Sequence, residues 1–238
     1  IIYNNFKGGS NYKIGILLCC YNRPNYLKQT LESLKKTNLN NCILCIIDDC
    51  SKDKEVANLI NNFKLSNEII KIRNNTNLGI RYSLLKGFNI LYDKCDYLTN
   101  IDSDVIFNKD WINKLKNIDD IYPEYFNNNG TIITGFNCSN KKFNHHKIKK
   151  TYPLFHKKDT IGGINMWFNK KIYNDLIKDV LTKGHKNYKW DWEVCYAAQE
   201  KNYDILVSNP SVIQHIGFET SIDGRINTDK YDYALDYK

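Results

Sequence analysis

Methionine is almost absent: Met166 is the only one in 238 residues. With no initiator, the chain reads as a piece of a longer polypeptide. No run approaches the roughly 20 apolar residues of a membrane span, and positions 1 to 12 lack the apolar stretch of a signal peptide. No membrane span is therefore expected. Four prolines and 12 glycines are too few for a collagenous or low-complexity chain. Cys42 and Cys45 have C-x-x-C spacing, but no second pair follows at the distance of a zinc ribbon. The segment after the first apolar run, "CCYNRPNYL", contains no glycine, so it cannot be a glycine-rich phosphate loop.

What is present is globular. Hydrophobic residues make up 42% and charged residues 25%, and 17 Tyr, 10 Phe and 4 Trp can fill a sizeable core. The length suits one α/β domain. The net charge is +8, which favours an anionic partner without speaking to fold. Asn, Lys, Ile and Tyr are heavily used. Their codons are AT-rich, so a lone Asn or Lys carries little weight. Several of the eight cysteines lie in apolar runs such as "GILLCC" and "NCILCIID". Free cysteine behaves as a small hydrophobe. Buried reduced thiols are expected, and with them a reducing, cytoplasmic compartment.

The first half alternates short apolar runs with amphipathic stretches. Ile14 to Cys20 reads as a buried strand, followed by a helix with Pro24 in its first turn and Asn22 as a plausible cap. Ile43 to Ile47 is a second strand ending at Asp48 and Asp49, and Val56, Leu59, Ile60 and Phe63 mark a helix by spacing. Ile69 to Ile72, a helix carrying Ile80, Leu84, Phe88 and Leu91, and Tyr97 to Ile101 follow. This order implies a mostly parallel sheet. In the second half, strands are expected at 131–136, 161–168, 205–208 and 212–216. Helices are expected at 171–181 and around Trp190, Val194 and Ala197. The Lys- and His-rich stretch 137–158 is expected to be a mobile loop, and His145, His146, His156 and His185 to be solvated.

Open parallel sheets bind ligands beyond the carboxyl ends of their strands. Three such ends carry polar residues: Tyr21, Asn22 and Arg23; Asp48 and Asp49; and Asp102, Ser103 and Asp104. Strand alternation would point Asp102 and Asp104 to one side, where their charges repel unless a cation neutralises them. Oxygen ligands favour Mg²⁺ or Mn²⁺. Asp-Ser-Asp is also a turn sequence, but the apolar "VIF" that follows suggests continuing strand.

The segments "IGILLCCYNRPNYLKQTLESL", "CIIDDCSKD", "NTNLGIRYSLLKGF" and "YLTNIDSDVIFNKDWINKL" resemble, in order and spacing, the nucleotide-sugar-binding half of glycosyltransferases with the GT-A fold. The family 2 branch, usually inverting, is the most similar. The later "GGINMWF", "WDWEVCYAAQEKNY" and "VIQHIGFETS" resemble the acceptor-side motifs. The resemblance implies a Rossmann-like, mostly parallel sheet flanked by helices, with a smaller acceptor-side part. It divides the chain into an extension (1–12), one domain (13–220, with a donor half at 13–115 and an acceptor half at 116–220) and a tail (221–238). It implies that Tyr21 and Arg23 lie at the nucleotide pocket, that Asp48 or Asp49 bonds the base or ribose, and that Asn77, Gly79 and Arg81 close over the nucleotide. Asp102 and Asp104 match the DxD motif as metal ligands, Asp102 and the intervening Ser103 would also contact the nucleotide, and His215 stands where relatives supply a further metal ligand. Gly163 and Trp167 would line donor sugar and acceptor.

A UDP-sugar, such as UDP-glucose or UDP-galactose, is the implied donor, and a glycan, lipid or protein hydroxyl the acceptor. An inverting transfer needs a base. Asp191 matches the acidic motif, while Glu193 stays a candidate because the chain reads Trp-Asp-Trp-Glu where relatives often carry Glu-Asp. Trp190 and Trp192 can form an acceptor platform and desolvate a neighbouring carboxylate. Arg23 or Arg81 can contact phosphate. The alternatives are a domain of a larger collagen-type hydroxylysine glycosyltransferase and, without the glycine-rich loop, a sugar nucleotidyltransferase. Nucleic acid is not an expected partner, since the basic residues cluster in one stretch without a nucleic-acid motif.

Overall fold

The computed structural model describes residues 12–126, 130–138, 146–184, 189–219, 233–234 and 236–237. Its first half alternates as the periodicity requires: β1 (Ile14–Cys20), α1 (Pro24–Leu34), β2 (Cys42–Asp48), α2 (Lys54–Asn62), β3 (Ile69–Arg73), α3 (Ile80–Tyr92) and β4 (Tyr97–Ile101). Then come β5 (Val105–Phe107), α4 (Trp111–Ile121), β6 (Thr131–Thr134), β7 (Ile148–Thr151), β8 (Phe155–Lys158) and β9 (Asn165–Asn169). A helical run of α5 (Lys170–Ile172), a π turn (Tyr173–Ile177) and α6 (Lys178–Lys183) precedes α7 (Trp190–Glu200), β10 (Asp204–Ser208) and β11 (Ile213–His215).

Nine strands form one sheet in the order β3-β2-β1-β4-β9-β6-β10-β8-β7, and β11 and β5 form a separate antiparallel ribbon. Strands β1 to β4 pair parallel, while β9 runs antiparallel to β4. The strand order reverses at β1, with β2 and β3 on one side and β4 on the other. That reversal opens a crevice at the carboxyl ends.

Strand alternation sorts the side chains into two cores. Ile16, Leu18, Leu44 and Ile46 face the layer that includes Leu27 and Leu31 of α1 and Trp111 of α4. Leu17, Ile43, Cys45 and Ile47 face the layer that includes Phe88 of α3, Tyr173 and Val194 of α7. Both faces are covered, so β1 and β2 are buried along their whole length, as continuous apolar runs demand. Cys42 and Cys45 fall in opposite cores and cannot share a metal. All eight cysteines are free thiols, seven buried and Cys50 half-buried.

Several expectations needed correction. Asp102–Asp104 is not a continuing strand; Ser103 and Asp104 form a turn between β4 and β5. Asn22 does not cap α1. Arg23 holds that position in a left-handed conformation, φ 54°, with no side-chain cap, and the Asn22 side chain accepts from Lys52 N instead at 2.9 Å. Residues 139–145 of the expected loop lie outside the described residues, but 148–158 forms the β7–β8 hairpin at the sheet edge. His156 is buried there and bonds Thr151 Oγ1 through Nδ1 at 3.1 Å, and His146 Nδ1 meets Thr160 Oγ1 at 2.9 Å. His145 and His185 lie outside the described residues. The tail returns to the domain: Ala234 is buried, and Gln214 pairs with both its N–H and its carbonyl, at 2.8 and 2.9 Å.

Candidate active site

The site is built from strand ends. Beyond β1, β2 and β4 lies a crevice of about 300 Å³ lined by Tyr21, Arg23, Asp49, Asn77, Gly79, Asp102 and Ser103, with Cys19, Cys20, Ile80 and Ser83 completing its walls. The first seven are residues expected to bind nucleotide; the last four were not foreseen. They are apolar or small, and only the placement of β1 and of the first turn of α3 reveals that they face the cleft.

Local hydrogen bonds fix this shape. The turn after β1 is pinned to the loop after β2, because Asn22 N donates to Ser51 Oγ at 2.8 Å. Asn22 and Arg23 are consecutive left-handed residues, both at φ 54°. Such a conformation costs roughly 1–2 kcal/mol per non-glycine residue; it persists where the surrounding structure over-determines it, and such residues cluster at functional sites. Asp49 holds the opposite wall: Oδ1 accepts from Leu78 N at 2.9 Å and Oδ2 from Gly79 N at 2.8 Å. Asp48 turns away. Its carboxylate is buried, paired with Arg73, and accepts from Ser51 N at 2.8 Å. Of the two aspartates, Asp49 reaches the crevice and Asp48 braces the loop beneath it.

Asp104 is the electrostatic centre. Its Oδ2 accepts from Arg23 Nη1 at 2.6 Å and lies 3.3 Å from His215 Nε2. Its Oδ1 is buried, with no hydrogen-bond partner among the described residues. Burial would raise this carboxyl, but His215 and Arg23 outweigh it and hold it below the usual carboxylate range. Asp102 moves the other way, pushed up by burial and then by the Asp104 charge. Arg23 also donates to Glu219 O at 2.8 Å, which draws the segment after β11 across the site. Gly217 makes this crossing feasible, because a Cβ there would lie 2.1 Å from Asp104 Oδ2. Gly217 was missed, although it stands in the quoted "VIQHIG" two residues after His215.

Two carboxylates and an imidazole are the donor types Mg²⁺ or Mn²⁺ accepts, and the orphaned Asp104 Oδ1 is a ready ligand atom. These residues fit a divalent cation. Among the described residues, however, no three His, Cys, Asp or Glu side chains are already gathered as a metal-binding group, and Arg23 occupies part of Asp104.

The residues around Gly163 and Asp191, expected on the acceptor side, also meet the crevice. Asp102 N donates to Ile164 O at 3.0 Å, and Asn100 Nδ2 donates to Gly163 O at 2.7 Å. Gly163 N in turn donates to Asp191 Oδ2 at 3.1 Å. Trp190 covers Gly163 so closely that a Cβ there would lie 2.6 Å from its ring. Burial raises the Asp191 carboxyl against the opposing pull of backbone N–H groups. Trp192 meets His146 at 5.2 Å and Tyr196 at 6.0 Å between ring centroids.

Three expected residues belong elsewhere. Trp167 is fully buried and stacks on Tyr97 at 5.2 Å, so it is a core residue and lines no sugar site. Glu193 is 1% exposed and ion-paired with Arg81. It is therefore shielded from any acceptor, and Arg81 is turned away from the crevice.

A family model described as glycosyl transferase family 2 matches residues 15–177. An uncharacterized glycosyltransferase of Haemophilus influenzae is 29% identical over 102 residues, which cover 43% of this chain and 31% of that protein. Among solved structures, S. aureus TarS 1–349 has a TM-score of 0.55 at 17% identity, over 84% of this chain and 59% of its own. The same fragment in complex with UDP gives 0.57 at 16% identity, with the same coverage. The chain thus spans less than two thirds of each of these relatives, and the structural likeness speaks to fold. The α/β architecture is the GT-A arrangement expected from the motifs. With well over half of its length matched by the family and the site residues gathered at the strand ends of that fold, the chain belongs to glycosyl transferase family 2, a family of transferase enzymes.

Proposed function

We propose that this chain transfers a hexose from a nucleoside-diphosphate donor to an acceptor hydroxyl, with inversion and with dependence on Mn²⁺ or Mg²⁺. The donor would be UDP-linked, such as UDP-glucose or UDP-galactose, and the acceptor a glycan, lipid or protein. The observation that carries this reading is the one crevice lined by Tyr21, Arg23, Asp49, Asn77, Gly79, Asp102 and Ser103. The existence of a UDP complex of similarly folded TarS supports the choice of uridine. The free buried thiols suit a reducing compartment, and the cytoplasm is proposed. Residues 13–220 are proposed to act as one domain, with a donor half (13–115) and an acceptor half (116–220).

Asp102, Asp104 and His215 would hold the cation. When bound, the ion supplies Lewis-acid stabilisation to the diphosphate. Arg23 adds a positive charge beside the phosphates, and the turn held by Asp49 closes over the nucleoside. Asp191 takes the proton of the acceptor hydroxyl, with Gly163 N–H orienting its carboxylate. The hydroxyl oxygen bonds to the anomeric carbon as the bond from that carbon to the diphosphate oxygen breaks. Its electron pair leaves with the diphosphate, and attack from the opposite face inverts the centre. Trp190 and Trp192 flank Asp191 as a surface for the acceptor.

The test is release of nucleoside diphosphate from a panel of UDP- and GDP-sugars, with and without Mn²⁺. Turnover is expected with a UDP-sugar and metal, and it should vanish in Asp104→Ala while that variant still unfolds cooperatively. Normal turnover by folded Asp104→Ala would contradict the proposal.

A further inference from the structure

Arg81 and Glu193 are 112 positions apart in sequence and form one ion pair. Arg81 lies in the first turn of α3, beside Ile80, which lines the crevice wall with Gly79. Its Nη2 donates to Glu193 Oε2, and its Nη1 donates to Val180 O of α6 at 2.7 Å. Glu193 lies in the first turn of α7, two residues after Asp191. Gly184, at the end of α6, leaves room for the pair: a Cβ there would lie 3.2 Å from Arg81 Nη1. Three elements thus close around one buried carboxylate.

Stability alone does not explain this choice. Well-packed apolar side chains in place of a buried ion pair are often as stable or more so. A guanidinium fork instead fixes direction as well as distance, which an ammonium does not. The turn that carries Arg81 is itself fixed, since Asp49 accepts from Leu78 N and Gly79 N.

We propose that Arg81 and Glu193 are positioning residues that lock the first turn of α7, and with it Asp191, to the wall of the donor crevice. This rests on the reading of Asp191 as the base. Neither residue lines the crevice, so removal of the pair should slow chemistry while nucleotide affinity stays the same.

The test compares the full chain with Arg81→Met/Glu193→Met, which removes both charges together, and with the conservative Arg81→Lys. Thermal unfolding, UDP affinity, and kcat and KM for transfer are measured on each. The double variant is expected to unfold within a few degrees of the wild type and to bind UDP within about threefold. Its kcat should fall by about 10- to 100-fold, the scale of an ångström-sized misplacement of a reacting group. Arg81→Lys should recover only part of that loss. Wild-type kcat in the folded double variant, or in Arg81→Lys should the double variant not fold, would overturn the proposal. So would a loss confined to UDP affinity. If the wild-type chain itself transfers no sugar, the reading of Asp191 fails first and the clamp falls with it. A fully active wild type with equally active variants overturns the clamp alone.

Discussion

The role proposed for Asp191 can be read in its titration. Burial raises its carboxyl, so its conjugate acid gives up a proton at higher pH than an ordinary aspartate. A base must be ionised to act, and the acid limb of the kcat profile should therefore lie above the usual carboxylate range. Asp191→Asn is expected to lower kcat by about 10²- to 10⁴-fold and to remove that limb, which a pH series on both proteins would check. The sign for stability is opposite. The folded chain binds this proton more tightly than the unfolded chain, so the contribution is full below the unfolded pKa and is lost as pH rises through the raised one. At neutral pH, Asp191→Asn should then unfold within about 1 kcal/mol of wild type in urea.

The same scale shows what residue types alone conveyed. Tyr21, Arg23, Asp49 and Asp102 were legible because each stands just after an apolar run, where a strand end must be. Asp48, Arg81, Glu193 and Trp167 carry the same chemistry in the sequence, yet their partners are distant in the chain. Arg73 claims Asp48, Arg81 and Glu193 claim each other, and Tyr97 stacks on Trp167. No local pattern announces those pairings.

At the scale of elements, burial divides the strands sharply. Leu17 in β1 is fully enclosed, and Leu17→Ala should cost about 2–5 kcal/mol through lost transfer energy and a residual cavity. In β7 all four residues are exposed, and Lys150→Ser should stay within about 0.5 kcal/mol. Urea unfolding of the two variants separates a central strand from an edge. The contrast explains why β1 and β2 were readable and the β7–β8 hairpin was not. A doubly covered strand needs an unbroken apolar run. An edge strand can be lysine-rich, and charge there blocks pairing with other chains, so 148–158 looked like a loop. The helix expected at 171–181 has the right apolar spacing but includes a π turn at Tyr173–Ile177, which adds a residue to a turn that periodicity treats as regular.

At the scale of the whole molecule, the strand order brings the crevice and the candidate base to the same edge. The reversal at β1 sets Cys20, Asp49 and Asp102 side by side at the strand ends. The β4–β9 pairing sets Ile164 against Asp102 and Gly163 against Asn100, and Gly163 N reaches Asp191. The net charge of +8 favours approach of an anion such as the proposed diphosphate, more so at low salt. The pairing of β4 with β9 was not legible, because antiparallel insertion into a parallel sheet leaves no signature in either strand.

The most direct measurement is calorimetric titration of the chain with UDP, with and without Mn²⁺, alongside Asp104→Asn. One UDP should bind per chain, its affinity should rise at least about tenfold with Mn²⁺, and that gain should be lost in the variant. Absence of UDP binding, or a manganese effect that survives intact in Asp104→Asn, would contradict the proposed function.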